Sequence, residues 1–194
     1  MRKGDIEINS VKPMDTSILD KAIIFATQAH AGQERKGKHL PYIVHPLEAV
    51  AIVATMTNDQ EMLAAAALHD TLEDTPVTIG DLRREFGDRV AALVDFETNK
   101  GGSWREAKQR AVNRLAAAPY DAQVVALGDK LSNLRALSRD YVTLGDSLWS
   151  RFKAPGGKAD IGWYYRSLAH ALSSLADLPP YKEFLILLDR TFHP

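Results

Sequence analysis

Two alanine-rich apolar segments, at 46–57 and 59–72, restrict the fold of this chain more than any other feature of its sequence. Their small side chains suit two closely packed, buried helices, and Asn58 or Asp59 between them can cap the second helix. The chain shows no convincing strand alternation and no internal repeat. The sequence therefore predicts an all-α fold, a single-domain helical bundle.

Further helices are indicated wherever apolar residues recur on one helical face. They are predicted near 18–30 and 78–86, from Val90 onward after a break at Gly87, and near 104–115, 121–139, 161–176 and 181–190. We expect an N-terminal extension at 1–17 and one domain at 18–194, in which a core at 18–140 is followed by a C-terminal loop and helices at 141–194. Between 141 and 160 the helical pattern weakens, which makes this region a candidate lid or ligand loop.

The charge balance and the lack of cysteine exclude several classes of function. The 194 residues include 24 lysines and arginines, 25 acidic residues and no cysteine. Without a net basic field, nucleic-acid binding is not expected. Without thiolates, any metal must be held by imidazole and carboxylate groups. No stretch resembles a signal peptide or reaches the roughly 18 apolar residues of a membrane span, so we expect a soluble, cytoplasmic protein with no membrane contact.

The segment Leu68–Asp74 carries the densest chemistry, because an apolar helix runs directly into four side chains of ligand or acid-base type. At helical spacing, His69 and Glu73 lie on one face. Asp70 and Asp74 form a second pair with the same spacing of four. A histidine–aspartate pair alone fits a helix cap or a salt bridge equally well, but the two added acidic residues favour a functional cluster.

Two further side chains offer metal ligands from elsewhere in the chain. His45 precedes Pro46, which suits the first helical position, so we expect His45 at a helix start with its ring turned inward. Asp129 lies in the middle of an apolar helical face, where it is either a ligand or an ion partner of Lys130 or Arg135. Two imidazoles with two carboxylates suit Mn²⁺, Fe²⁺ or Zn²⁺ better than Mg²⁺ or Ca²⁺.

Longer stretches of the chain resemble one family in their residues, order and spacing. These stretches are Ala29-His30, Gln33–Lys36, Pro41–Pro46, Ala67–Thr75, Phe86-Gly87 and Gly128–Arg135. Over about 18–140, the chain resembles the His-Asp (HD) superfamily of metal-dependent phosphohydrolases. Within it, the chain is most similar to the hydrolase domain of the RelA and SpoT family in its stand-alone small alarmone hydrolase form, metazoan SpoT homologues included. Beyond 140, only Trp163–Tyr165 matches.

The resemblance implies a helical bundle that binds Mn²⁺, or another divalent transition metal. It implies hydrolysis of the 3′-pyrophosphate of guanosine tetraphosphate and pentaphosphate, so the implied partner is a small guanine nucleotide. The implied metal ligands are His45, His69, Asp70 and Asp129. Glu73 and Asp74 would orient or deprotonate the attacking water. The length leaves no room for the synthetase domain of long family members, so only hydrolysis is expected.

The resemblance also implies a set of substrate contacts. They are Arg35, Lys36, Lys130, Asn133 and Tyr164. A guanidinium beside an ammonium suits a pyrophosphate, although Arg35 and Lys36 also fit an ordinary solvated charge run. Tyr164 fits a core position at least as well, and Lys130 fits a structural ion pair. His30 is better explained by packing or by support of the ligands than by direct ligation.

Two segments depart from the family pattern, at 95–100 and 141–160, and both bear on the nucleoside side of the pocket. The main alternative is therefore an HD-type phosphohydrolase that acts on another nucleotide or on a phosphorylated dinucleotide cofactor. A catalytically silent nucleotide-binding module is the second alternative. Glu73 and Asp74 argue against it, because a module that only binds has no need of a water-activating pair.

Overall fold

The structure, a computed structural model, describes residues 14–97 and 102–193 and is built from helices. Its α-helices are α1 (Ser17–Ala29), α2 (Val44–Val53), α3 (Gln60–Leu68), α4 (Thr71–Asp74), α5 (Ile79–Glu97), α6 (Trp104–Ala116), α7 (Tyr120–Leu144), α8 (Lys158–Ala171) and α9 (Pro179–Phe192). Two 3₁₀ helices are Gly145–Arg151 and Ser173–Leu175. Within the described ranges, β-pairing is limited to an isolated bridge between Glu34 and Pro41. The predicted all-α fold is confirmed.

The long helix α7 forms the centre of the bundle and packs against α2, α3, α5 and α9. Its fully buried apolar residues include Val124, Leu127, Leu131 and Leu134. At Gly128, α7 approaches α2 so closely that a Cβ there would lie 2.5 Å from Cγ2 of Val53 and 3.1 Å from the carbonyl oxygen of Ala49. This close approach brings Asp129 of α7 next to the helix that carries His45.

Helix α3 is buried along Met62–Leu68, as its alanine-rich sequence predicts. Asp59 caps it, since its side chain accepts hydrogen bonds from the backbone N–H groups of Glu61 and Met62 at 2.9 and 3.1 Å. The small side chains let α1 pack closely against α3 through Ala22 and Ala26, which are both fully buried. The predicted pair of buried helices with a cap between them is confirmed.

The prediction of one continuous helix over 59–72 is wrong at its C-terminal end. Helix α3 ends at Leu68, and His69 and Asp70 form a turn before α4. Asp70 has φ −92° and ψ −5°, away from ideal helical values. The hydroxyl of Thr71 donates to the carbonyl oxygen of Leu68 at 2.7 Å and so satisfies an acceptor at the helix end. The His-Asp pair therefore projects from a tight turn rather than from a regular helix.

The sequence predicts Pro46 at the first position of its helix. Helix α2 instead begins at Val44, so Pro46 is its third residue. Proline is tolerated there because the N–H groups of a first helical turn have no partner within the helix. His45 lies in this first turn and is 3% exposed. His45 is therefore a buried histidine at a helix start, as expected, but the helix begins two residues earlier than predicted.

The C-terminal region is more regular than the sequence suggests. Helix α7 continues to Leu144, the 3₁₀ helix Gly145–Arg151 follows directly, and α8 begins at Lys158, three residues before its predicted start. The predicted features at 1–13 and 98–100 lie outside the described residues. Among the described residues, no helix is both long enough and apolar enough to cross a membrane.

Candidate metal centre

The structure brings the four predicted metal ligands together. The two histidine Nε2 atoms lie 3.1 Å apart. Oδ2 of Asp70 lies 3.1 Å from Nε2 of His69 and 3.5 Å from that of His45. Oδ1 of Asp129 lies 3.1 Å from Nε2 of His45 and 3.5 Å from that of His69. Two imidazoles from α2 and from the α3–α4 turn thus converge with carboxylates from that turn and from α7.

The hydrogen bonds at Nδ1 fix how each imidazole presents its Nε2 atom. Nδ1 of His69 lies 2.8 Å from the carbonyl oxygen of Ala66, which can only accept, so the proton is on Nδ1. Nδ1 of His45 lies 2.8 Å from Oγ of Ser132. That hydroxyl donates its hydrogen to Oε2 of Glu48 at 2.8 Å, so Ser132 accepts from His45. The Nε2 atom is therefore the nitrogen that each ring presents to the centre.

This arrangement fits a divalent cation. Two facing lone pairs 3.1 Å apart would repel each other, so a positive charge belongs between the two Nε2 atoms. In the metal-free site the raised pKa of His69 favours a proton there, and a divalent cation would replace that proton. Ligand atoms of one ion lie roughly 3.0–3.4 Å apart when each bond is about 2.1 Å long, and the observed separations fall close to that range. Ligand atoms of His45, His69 and Asp70 all lie within 4.8 Å of one another. Asp129 adds the second carboxylate.

The surrounding charges keep both carboxylates ionised. Burial alone would raise the pKa of Asp129, but Lys130 and the histidines outweigh it and hold that pKa well below its usual value. Burial also opposes ionisation of Asp70, yet the adjoining His69 lowers its pKa. Burial lowers the pKa of His45, whereas at His69 the two carboxylates overcome burial and raise the pKa. Ionised carboxylates are the form that binds a metal.

Further side chains hold the carboxylates in place. Nδ2 of Asn133 donates to Oδ1 of Asp129 at 2.6 Å, and the ammonium group of Lys130 pairs with Oδ2 of the same residue. The hydroxyl of Tyr42 lies 2.7 Å from Oδ2 of Asp70. Burial and these acidic neighbours raise the pKa of Tyr42, which keeps its hydroxyl a donor. His30 stacks on Tyr42 with ring centroids 4.7 Å apart, which is compatible with its predicted role in packing or in support of the ligands.

The two predicted water-activating carboxylates lie at the edge of this centre. Burial raises the pKa of Glu73, and the charges of Asp70 and Asp74 raise it further. The positive charges of Lys108 and Lys130 act in the opposite direction and lower it. Oδ2 of Asp74 lies 2.9 Å from the hydroxyl of Tyr42, which also contacts the predicted ligand Asp70.

A cavity of about 440 Å³ adjoins the metal centre. It is lined by Glu34, Arg35, Lys36, Lys38, Tyr42, Asp74, Asn133, Ala136, Leu137, Asp140, Leu148, Arg151, Phe152 and Tyr165. Arg35 donates to Oδ1 of Asn133 at 2.8 Å, and Lys36 lies 5.9 Å from the ring centroid of Phe152. Three of the five predicted substrate contacts therefore lie on one cavity wall.

The other two predicted substrate contacts do not line this cavity. Tyr164 is 7% exposed and packs edge-on against Trp104, while its neighbour Tyr165 faces the cavity. Lys130 and Tyr164 instead border a narrow space beside Phe96. The ion pair of Lys130 with Asp129 is compatible with both of its predicted roles, a substrate contact and a structural ion pair. The side chain of Tyr164 has the packing of a core residue.

Sequence reasoning missed several residues of the site. The sequence analysis assigns no role to Ser132 or Glu48. Ser132 lies three positions after Asp129 and Glu48 three positions after His45, so each shares a helix face with a predicted ligand. Lys38, Asp140 and Arg151 form a charged cluster on the cavity wall, with distances to Asp140 of 2.6 Å from Lys38 and 3.4 Å from Arg151. Arg151 comes from the segment that departs from the family pattern, so no motif marked it.

Comparison with known proteins connects this site to one family. The HD domain family matches residues 22–155 of the chain. A Danio rerio protein named guanosine-3′,5′-bis(diphosphate) 3′-pyrophosphohydrolase MESH1 is 36% identical over 128 residues, which cover 64% of this chain and 71% of that protein. A guanosine-3′,5′-bis(diphosphate) 3′-pyrophosphohydrolase of Aquifex aeolicus is 36% identical over 129 residues, and the match covers 18% of its length.

Solved structures show the same fold. The Listeria monocytogenes protein lmo0812 superimposes with a TM-score of 0.71 at 29% identity, covering 77% of this chain and 99% of that one. A metazoan ortholog of SpoT, described as hydrolysing ppGpp (guanosine tetraphosphate) and acting in starvation responses, has a TM-score of 0.77 at 23% identity. That match covers 94% of this chain and 99% of the ortholog. The helical bundle is therefore shared along most of the chain.

Proposed function

This chain belongs to the HD domain family, as its motifs predict, and we propose that it removes pyrophosphate from the 3′ position of guanosine tetraphosphate or pentaphosphate. The products would be GDP or GTP and pyrophosphate. The observation that carries the proposal is the pair of Nε2 atoms 3.1 Å apart beside a cavity lined by cationic side chains. The zebrafish relative, of which the match covers 71%, is named for this reaction.

The cation of this enzyme would be Mn²⁺, and Fe²⁺ or Zn²⁺ would suit the same nitrogen and oxygen donors. Its ligands would be His45, His69, Asp70 and Asp129. When bound, such an ion lowers the pKa of water and neutralises charge that builds on phosphoryl oxygens. The orientation of both imidazoles by hydrogen bonds at Nδ1 supports this assignment, because metal-binding histidines are typically held in that way.

Glu73 would act as the general base and Asp74 would orient the attacking water. The raised pKa of Glu73 supports this role, since it makes the carboxylate a better proton acceptor. The water oxygen bonds to the phosphorus next to the ribose 3′ oxygen, and the bond between that phosphorus and the 3′ oxygen breaks. One water proton passes to Glu73, and the 3′ oxygen takes up a proton to become a hydroxyl.

Arg35, Lys36 and Asn133 would hold the phosphates of the substrate. Arg35 and Asn133 are already joined at 2.8 Å, and Asn133 is joined to the ligand Asp129 at 2.6 Å. A phosphate that binds Arg35 would therefore lie beside the metal centre, where charge-assisted hydrogen bonds are strong. Lys130 would support this wall through Asp129.

The experiment is to incubate the metal-stripped protein with guanosine tetraphosphate, with and without Mn²⁺, and to follow GDP and pyrophosphate. We expect release only with the metal. A Glu73→Gln variant, which keeps the shape of the side chain, serves as the control for contaminating hydrolases. A folded, metal-loaded protein that releases no pyrophosphate would contradict the proposal. Release of phosphate from a phosphorylated dinucleotide cofactor instead would favour the alternative substrate class.

A further inference from the structure

A hydrogen-bonded chain runs from the ligand His45 to a charged cluster behind the metal centre. Nδ1 of His45 lies 2.8 Å from Oγ of Ser132, and Oγ of Ser132 lies 2.8 Å from Oε2 of Glu48. Oε1 of Glu48 lies 3.4 Å from a guanidinium nitrogen of Arg135. Arg135 in turn binds both carboxylate oxygens of Glu183 in α9 at 2.6 and 2.7 Å. The chain thus connects α2, α7 and α9.

The direction of each hydrogen bond follows from the charges. Arg135 at 3.4 Å and Arg139 at 3.9 Å place positive charge beside the carboxylate of Glu48. A carboxylate paired with arginine accepts hydrogen bonds, and Ser132 donates its single hydrogen to Oε2 of Glu48. The serine oxygen must then accept from His45, which places the proton of that imidazole on Nδ1. The lone pair of Nε2 is left for the metal centre.

The positions of these residues make the chain specific to His45. Ser132 is 1% exposed, and it lies one helical turn after Asp129, so one face of α7 carries both a ligand and the anchor of another ligand. Glu48 lies one turn after His45 on α2. The side chain of Glu48 is 24% exposed, so its charge is partly solvated while its partner Ser132 is buried. Burying the hydroxyl without these two partners would be costly.

We propose that Ser132 and Glu48 are positioning residues that orient His45 and fix its tautomer for the divalent cation. The inference rests on the proposed metal centre, but it makes no use of the substrate. Partners behind a metal-binding histidine typically contribute about 10–100-fold to metal affinity. Neither residue touches the metal position or the nucleotide cavity, so their effect should appear in metal binding first.

The experiment measures Mn²⁺ affinity of the metal-stripped full chain by isothermal titration calorimetry, for Ser132→Ala, Glu48→Ala and the double variant. Ser132→Ala should weaken Mn²⁺ binding by about 10–100-fold. Glu48→Ala should weaken it by a smaller factor. The double variant should bind no more weakly than Ser132→Ala, because Glu48 acts through Ser132 and the two effects are not additive.

A matched control is Glu61→Ala, which also removes a carboxylate paired with an arginine, Arg89 at 2.6 Å, but at the end of α3 opposite to His69. Its Mn²⁺ affinity should equal that of the wild type. Thermal melting of each metal-free variant separates folding from binding. Unchanged affinity in Ser132→Ala, or additive losses in the double variant, would overturn the inference. Normal Mn²⁺ binding without hydrolysis of guanosine tetraphosphate would instead refute the proposed function alone.

Discussion

Gly128 offers a sharp test of how the fold assembles the metal centre, because its missing side chain lets α7 and α2 meet. In Gly128→Ala, the new Cβ would lie 2.5 Å from Cγ2 of Val53, whereas ordinary carbon contacts are about 3.5 Å or longer. The helices must therefore separate by about 1 Å, the difference between these two distances. The separation between His45 and Asp129, now 3.1 Å, would grow to about 4 Å by the same shift.

The free energy of unfolding should fall despite the better helix propensity of alanine. Overpacking of a dense core costs about 1–3 kcal/mol, while replacement of a glycine inside a helix returns up to about 1 kcal/mol. Val53 is β-branched and stiff, and the second neighbour is a backbone carbonyl, so little relaxation is available. We expect a net loss of about 1–2 kcal/mol in the metal-free protein, together with weaker Mn²⁺ binding.

The assay is urea denaturation of the metal-free protein, followed by a Mn²⁺ titration. Gly80→Ala is the matched control, since a Cβ there would lie at an ordinary 3.6 Å from its nearest neighbour, Oγ1 of Thr78. That variant should be as stable as the wild type or slightly more stable. A Gly128→Ala protein that matches the wild type in both stability and Mn²⁺ affinity would refute the reasoning that this contact sets the ligand spacing.

The remaining predictions concern the site itself. His69→Ala should abolish metal content and turnover together, and an active, metal-free variant, identified by elemental analysis, would remove His69 from the ligand set. Glu73→Gln should keep its metal but lose about 10²-fold in turnover. Because the pKa of Glu73 is raised, the rate of the metal-saturated wild type should fall as pH drops through that value, and a pH profile of Glu73→Gln should lack this limb. Arg35→Ala should raise KM for guanosine tetraphosphate by about 10-fold or more, because a charge-assisted contact to the substrate is lost. Steady-state kinetics measure this change, and an unchanged KM would exclude phosphate binding by Arg35.

The sequence predicts the buried helices of this fold because an apolar, alanine-rich composition extends over many consecutive residues and favours a buried helix. The alanine-rich run of α3 is apolar on every face, so the whole helix is buried, and Asp59 caps its start. The break after Leu68 was missed, since Thr71–Asp74 continues a helical pattern. The helix end is held by local side-chain hydrogen bonds that the spacing of apolar residues does not reveal. The hydroxyl of Thr71 donates to the carbonyl oxygen of Leu68, and Nδ1 of His69 donates to that of Ala66.

Motifs mark the residues of the metal centre and also Arg35, Lys36 and Asn133 of the cavity, but no motif marks the rest of the cavity wall. Tyr164 and Tyr165 are adjacent in sequence, and only the packing of α8, which begins at Lys158, decides which ring faces the cavity. Arg151 reaches the cavity from a 3₁₀ helix whose position depends on contacts with the distant loop at Gly37, next to the guanidinium. Sequence spacing carries no information on such contacts between remote segments.

The most direct test of the metal centre is the anomalous scattering of crystals grown with Mn²⁺. The account predicts one strong peak that is bonded to Nε2 of His45 and of His69 and to carboxylate oxygens of Asp70 and Asp129. A Mn²⁺ peak elsewhere, or no peak while the two Nε2 atoms stay in contact, would contradict the assignment of these residues as ligands.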